Sequence, residues 1–148
     1  MLEEQLMPGD LEAANTLLAR VFAPWVLDLP MRVEEVAGPG DAKGAGAVLR
    51  LSFSDRLCRD GGVICGQALM TLADTAMVFA VSAASGRYRP MTTVDQTTHF
   101  LKPASQADVL ADARIIRLGK TMAFGQVTLS SAADHKPVAM VSSAYALL

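Results

Sequence analysis

Between residues 61 and 86 the chain runs for 26 residues with a single charge, Asp74. Leu72, Ala73, Ala76, Met77 and Val78 surround that charge in the sequence, and a helix that is apolar nearly all round is a buried one. The stretch 66–84 could pass for a membrane span. However, Asp74 stands at its centre with Gln67, Thr71, Thr75 and Ser82 around it, and a central carboxylate is costly in lipid. The sequence therefore predicts a long core helix over 66–84, stopped at Ser85-Gly86, in a soluble protein. The rest of the 148 residues must enclose it.

The enclosing elements are strands. Residues 26–36 and 47–53 read as a hairpin around a glycine-rich loop at 37–47. Residues 92–101 form a Thr-rich, β-branched run. Residues 109–118 and 122–131 flank a tight turn at Gly119-Lys120, and 138–147 follows a turn at 134–137. Ahead of these, Asp10 stands as N-cap to a helix carrying Leu11, Ala14, Leu18, Val21 and Phe22 at helical spacing, ended by Pro24. Residues 54–62 are irregular. The order α-β-β-α-β-β-β-β, without repeats or linkers, makes residues 1–148 a single α+β domain. Its curved, largely antiparallel sheet wraps one long helix.

Composition narrows the function. Thirteen basic and fifteen acidic residues leave a formal charge of −2, and 5% of residues are aromatic. Neither a basic field nor a base-stacking platform is present, so no nucleic-acid partner is expected. Cys58 and Cys65, seven apart, fit neither a zinc spacing nor a disulfide framework. With only His99 and His135 as histidines, no metal and no cofactor are expected. The acidic N-terminus carries no targeting signal. The protein reads as cytoplasmic, with reduced thiols and no membrane partner.

An ionised carboxylate in an apolar helix costs several kcal/mol unless it is paired or hydrogen-bonded. Asp74 is therefore either a structural acid, bonded to a Ser or Thr or facing a solvated groove, or a general base or nucleophile in an apolar pocket. The start of the helix offers a complement. Backbone N–H groups at Gly66 and Gln67, at the positive end of the helix dipole, can stabilise an oxyanion. Equally, Gly62 and Gly66 can serve a tight loop-to-helix turn. Eight residues of helix separate Gly66 from Asp74 by about 12 Å, so one carbonyl cannot touch both. If both act on one substrate, they come from different subunits of a two-fold dimer.

The segments GGVICGQALMTLADTAM, RPMTTVDQTTHFLKPA and ARIIRLGKTMAFGQVTL resemble the hotdog-fold acyl-CoA thioesterases of the PaaI-like group, over about residues 33–148. The first helix resembles the extra N-terminal helix of that group. The resemblance implies a hotdog fold, a CoA-thioester hydrolase activity and an active site shared between subunits of a homodimer or dimer of dimers. It makes Asp74 the general base or nucleophile and Gly66 the oxyanion donor. It makes Thr93, in Thr93-Val94-Asp95, the strand hydroxyl that orients water. The chain departs from the group at two positions. Cys65-Gly66-Gln67 stands where His-Gly-Gly is common, and Arg59 stands where Asn is common. Gln67 offers a side-chain amide in place of the histidine.

A medium-chain or aromatic acyl group needs an apolar channel, for which Leu69, Met70, Met77, Val78 and Phe79 are candidates, each also a plain core residue; Cys65 is a further substrate-binding candidate. Arg59, Arg87, Arg89, Lys102 and Lys120, with Arg117, are candidates for the CoA phosphates, or are solvated surface charge. A hydratase would need a histidine near its acid. His99 follows Thr93 on the same strand but reads as a strand-face histidine. A non-catalytic acyl-CoA or small-ligand binding protein remains the alternative, because hotdog domains also serve in that role.

Overall fold

The computed structural model describes residues 5–148. Asp10 caps α1 (Leu11–Val21), its carboxylate accepting the Ala13 amide at 3.0 Å. Ala14, Leu17 and Leu18 form the buried stripe of that helix. The strand expected over 26–36 begins later. Pro24, with its φ already helical, takes the first position of a short helix α2 (Pro24–Leu27). The strand β1 therefore covers Met31–Ala37, just beyond Pro30. It pairs with β2 (Gly46–Leu51) as the expected hairpin. The irregular stretch holds a single 3-10 turn at Asp55–Leu57 and a two-residue ladder of β3 (Cys58–Arg59) with β4 (Val63–Ile64). Gly61 and Gly62, both at positive φ, make the turn between them.

The long helix α3 spans Gly66–Ser85 and stops at Gly86, which takes the left-handed conformation suited to a helix C-terminus. The strands β5 (Met91–Phe100), β6 (Val109–Leu118), β7 (Met122–Ser131) and β8 (Pro137–Leu147) follow. One six-stranded sheet, in the order β1-β2-β6-β7-β8-β5, is antiparallel throughout. It curls around α3, whose Leu72, Ala73, Ala76, Met77, Ala80 and Val81 are fully buried. Gly125 on β7 lets helix and sheet approach. A Cβ there would meet the Met77 side chain within 3 Å. The helix is long and apolar enough to cross a membrane, yet two-thirds of its most apolar stretch is buried inside the protein.

The enclosure is incomplete. Gln67, Met70, Thr71, Asp74 and Val78 recur at helical spacing, and none is buried. The helix, expected to be covered on most sides, thus keeps one open stripe. The strand beside the stripe, β5, is an edge strand and is exposed along most of its length. Its pairing with β8 carries a bulge between Thr93 and Asp95. Val94 is the extra residue, and one inserted residue reverses which side chains face the helix. Thr93 faces the helix above the bulge. Below it Gln96 and Phe100 do, while Asp95, Thr97 and His99 turn to the outer surface.

Candidate active site

The strand β5 descends along α3 with one contact per helical level. Thr93 Oγ1 donates to Asp74 Oδ1 at 3.0 Å. Gln96 Nε2 donates to the Met70 carbonyl at 3.0 Å. The Phe100 ring lies over Gly66, where an added Cβ would stand 3.0 Å from its Cζ. The next strand contributes a further group. Tyr145 on β8 pairs directly with Thr93, so both side chains point at the same helix residue. Its hydroxyl donates to Asp74 Oδ1 at 2.7 Å. Asp74 itself is partly exposed on the open stripe rather than sealed in the core. Its charge is supported by two hydroxyl donors and by solvent, which offsets most of the cost of burying a carboxylate.

Tyr145 is fully buried. Burial first, and then the adjacent Asp74 charge, pushes its hydroxyl well above the usual phenol range; the neighbouring Ser143 and Thr93 hydroxyls oppose this only in part. The phenol therefore remains a neutral hydrogen-bond donor. The sequence reading missed this residue. Its one signal was alternation: Val141, Ser143 and Tyr145 form the buried row of β8, so a polar-tipped aromatic stood where a core side chain belongs.

The start of α3 is built differently. Cys65 is its N-cap and gives no side-chain hydrogen bond. Two backbone bonds anchor the entry: the Cys65 amide donates to the Leu57 carbonyl, and the Ile64 amide donates to the Ala104 carbonyl, both at 2.8 Å. Among the described residues, no acceptor meets the amides of Gly66 and Gln67. These belong to the helix N-terminal groups that lack an intrahelical partner. A groove of about 440 Å³ opens beside them, bordered by Arg59, Gly66, Leu69, Phe100 and Lys102. Lys102 Nζ stands 3.7 Å from Asp134, and Arg59 Nη1 donates to the Asp60 carbonyl.

The remaining candidates separate by position. Met70 is exposed on the stripe and Val78 is partly so. Met77 and Phe79 are buried, Met77 against Gly125 and Phe79 stacked on Phe22. They fill the core instead of lining an open channel, because they point from α3 into the sheet and α1. The basic residues do not gather in one chain. Arg59 and Lys102 flank the start of α3. Arg87 and Arg89 follow its end, where their amides bond Ser82. Arg117 and Lys120 lie beside the β6–β7 turn at that same end, where the Leu147 amide bonds the Thr121 carbonyl and Leu147 pairs with Met91. His99 pairs with Met140 on the outer side of the sheet, away from Asp74. Cys58 and Cys65 are both free thiols.

A long helix wrapped by one curved antiparallel sheet is the hotdog arrangement. The sequence pattern of the Thioesterase superfamily matches residues 61–138, and the chain belongs to that family. Among solved structures it resembles a thioesterase from Haemophilus influenzae, with a TM-score of 0.81 and 20% identity, covering 100% of this chain and 95% of that one. It also resembles a variant of the phenylacetic acid degradation protein PaaI from Thermus thermophilus. There the TM-score is 0.71 and the identity 23%, over 85% of this chain and 100% of that one. Both likenesses speak for the fold. A provisionally named esterase of Halobacterium salinarum is 30% identical over 99 residues. That match takes in 64% of this chain and spans 65% of the relative's length.

Proposed function

We propose that the protein is an acyl-CoA thioesterase that hydrolyses a CoA thioester, of a medium-chain or aromatic acid, to the free acid and CoA. The observation that carries the reading is the pairing of a solvent-facing, hydroxyl-supported Asp74 with unpaired amides at the start of the same helix. The thioester carbonyl sits against the Gly66 or Gln67 N–H of one subunit, and Asp74 of a second subunit faces it. As base, Asp74 takes a proton from water while the water oxygen bonds to the carbonyl carbon. The C–S bond then breaks and the thiolate leaves. As nucleophile, Asp74 attacks the carbonyl itself, the C–S bond breaks and the thiolate leaves, and water then cleaves the acyl-aspartate to release the acid and restore the carboxylate. The amides stabilise the oxyanion in either case, and one such donor is typically worth about 3–4 kcal/mol.

The shared site needs a homodimer, and the open stripe and bare β5 edge support one. Two antiparallel copies of α3 bring the end of one helix, with Arg87, Arg89 and Lys120, toward the groove holding the other subunit's Arg59 and Lys102. That gathers positive charge for the CoA phosphates, which a single chain keeps at opposite ends. Cys65 and Met70 border the acyl group in this arrangement.

The test is thiol release from CoA thioesters, acetyl through palmitoyl together with phenylacetyl and benzoyl, for wild type and Asp74→Asn side by side. Release by wild type and its loss in the variant support the reading. A protein that binds CoA and stays oligomeric but releases no thiol from any thioester is a ligand-binding member instead. Cys65 in place of the common histidine, and Arg59 in place of the common asparagine, favour that second reading.

A further inference from the structure

We propose that Tyr145 is a positioning residue for Asp74: with Thr93 it holds Oδ1 of the carboxylate and leaves Oδ2 as the oxygen presented to water or thioester. The assignment rests on Asp74 acting as the base or nucleophile. Both hydroxyls donate to the same oxygen, at 2.7 Å and 3.0 Å, and among the described residues no donor meets the other oxygen. A carboxylate bound in this way cannot rotate without losing both bonds, so its second oxygen is held in one direction. The two donors are equally constrained. Thr93 and Tyr145 are a direct cross-strand pair, and Tyr145 is 0% exposed, which leaves its ring one position.

The two hydroxyls have this task to themselves. Among the described residues, no cation reaches Asp74 from the elements packed around it. Asp74 is the sole charge of α3. From β5, Thr93 and Gln96 face the helix, while Asp95 and His99 face outward. From β8 come Ser143 and Tyr145, and the buried row of β7, Ala123, Gly125, Val127 and Leu129, is uncharged. The carboxylate is therefore oriented by neutral donors alone.

The experiment is steady-state hydrolysis of a CoA thioester by wild type, Tyr145→Phe, Thr93→Val, Thr93→Ser and Asp74→Asn, with Tyr145→Phe also placed in the Asp74→Asn background. Tyr145→Phe keeps the buried ring and removes only the donor. Its kcat should fall about tenfold, the worth of one hydrogen bond to a charged group, with KM unchanged. Thr93→Val should lower kcat in the same way, and Thr93→Ser, which restores a hydroxyl, should recover most of it. In the Asp74→Asn background Tyr145→Phe should cost nothing further, since both changes act on one group. An unchanged kcat in Tyr145→Phe, a change in KM alone, or an equal further loss in the Asp74→Asn background would overturn the positioning role. Full hydrolysis by Asp74→Asn would instead overturn the reading of Asp74 itself, and this assignment with it.

Discussion

The sheet has two edges, and the chain treats them in opposite ways. At β1 the edge is closed from within. Asn15 on α1 donates to the Val33 carbonyl at 3.0 Å and accepts the Val33 amide at 2.8 Å, standing in for a further strand. On the same side a charged lattice covers β1, β2 and β6. Arg50 joins Glu34 and Asp108, and Arg114 joins Asp112, Glu35 and Asp41. At β5 nothing among the described residues covers the edge, and Val94 and Phe100 are more than half exposed. Edge strands invite pairing with another chain unless they are blocked. One edge is thus finished for solvent, while the other, which carries Thr93 and flanks Asp74, is left bare, and it is the edge that the proposed dimer would use.

The largest effect expected from breaking this contrast is on the open side. Asp74→Asn should cut thioester turnover by about 10²–10⁴-fold, the usual worth of a general base, with KM little changed, as steady-state kinetics would read. Val94→Lys places a charge on the bare edge. The expected outcome is a shift to monomer by light scattering, together with loss of hydrolysis, because the proposed site needs two subunits. An unchanged oligomer would move the interface elsewhere. On the closed side, Asn15→Ala leaves two backbone groups of Val33 without their partner. A loss of about 1–3 kcal/mol in denaturant stability is expected, with oligomeric state unchanged.

The smallest effect concerns pH. Asp108 is held below the usual carboxyl range first by the Phe53 amide and then, after the opposing effect of burial, by Arg50. Glu34 is held low first by its hydrogen bond to Arg50. For acids depressed by folding, the contribution is present above the unfolded pKa, about 4, and is lost as pH falls through the lower folded value. Thermal stability of wild type should therefore fall more steeply below about pH 4 than that of Asp108→Asn, and melting curves between neutral and acid pH would check it. Both side chains are partly exposed, so solvent screening should keep the difference small.

Most of the architecture was legible because its signals were local. The charge-free run marked α3, its end at Ser85-Gly86 followed from glycine chemistry, and β6 and β7 were bounded by turn residues on both sides. The errors arose where longer-range geometry decides. Residues 26–30 look strand-like by composition, but Pro24 and Pro30 set a helical turn and a late strand start. For Asp74 two readings stayed open, an acid bonded to a Ser or Thr or facing a solvated groove and a base in an apolar pocket, because hydropathy does not reveal which side of a helix lacks a covering strand. Thr93 was legible through its resemblance to a known strand motif. Tyr145 was not, since its role depends on a pairing across 52 residues of sequence. Met77 and Phe79 were indistinguishable by type from Met70, and only the direction each leaves the helix separates them.

The extra residue at Val94 works as a phase shift in β5. Side chains above it alternate on one parity and those below on the other, so Thr93, Gln96 and Phe100 share a face that no regular strand would give them. Ironed flat, the same sequence would send Asp95 after Thr93 toward the helix, and His99 would take the place of Phe100 over Gly66. Removing Val94 altogether, by contrast, would let the ladder close without a bulge and leave every other side chain on its present face. The chemistry of this surface is thus encoded as much by a count of residues as by their identities. A relative that lacks the extra residue would keep the same site one position shorter in sequence, and an alignment without a gap there would mismatch every residue beyond it.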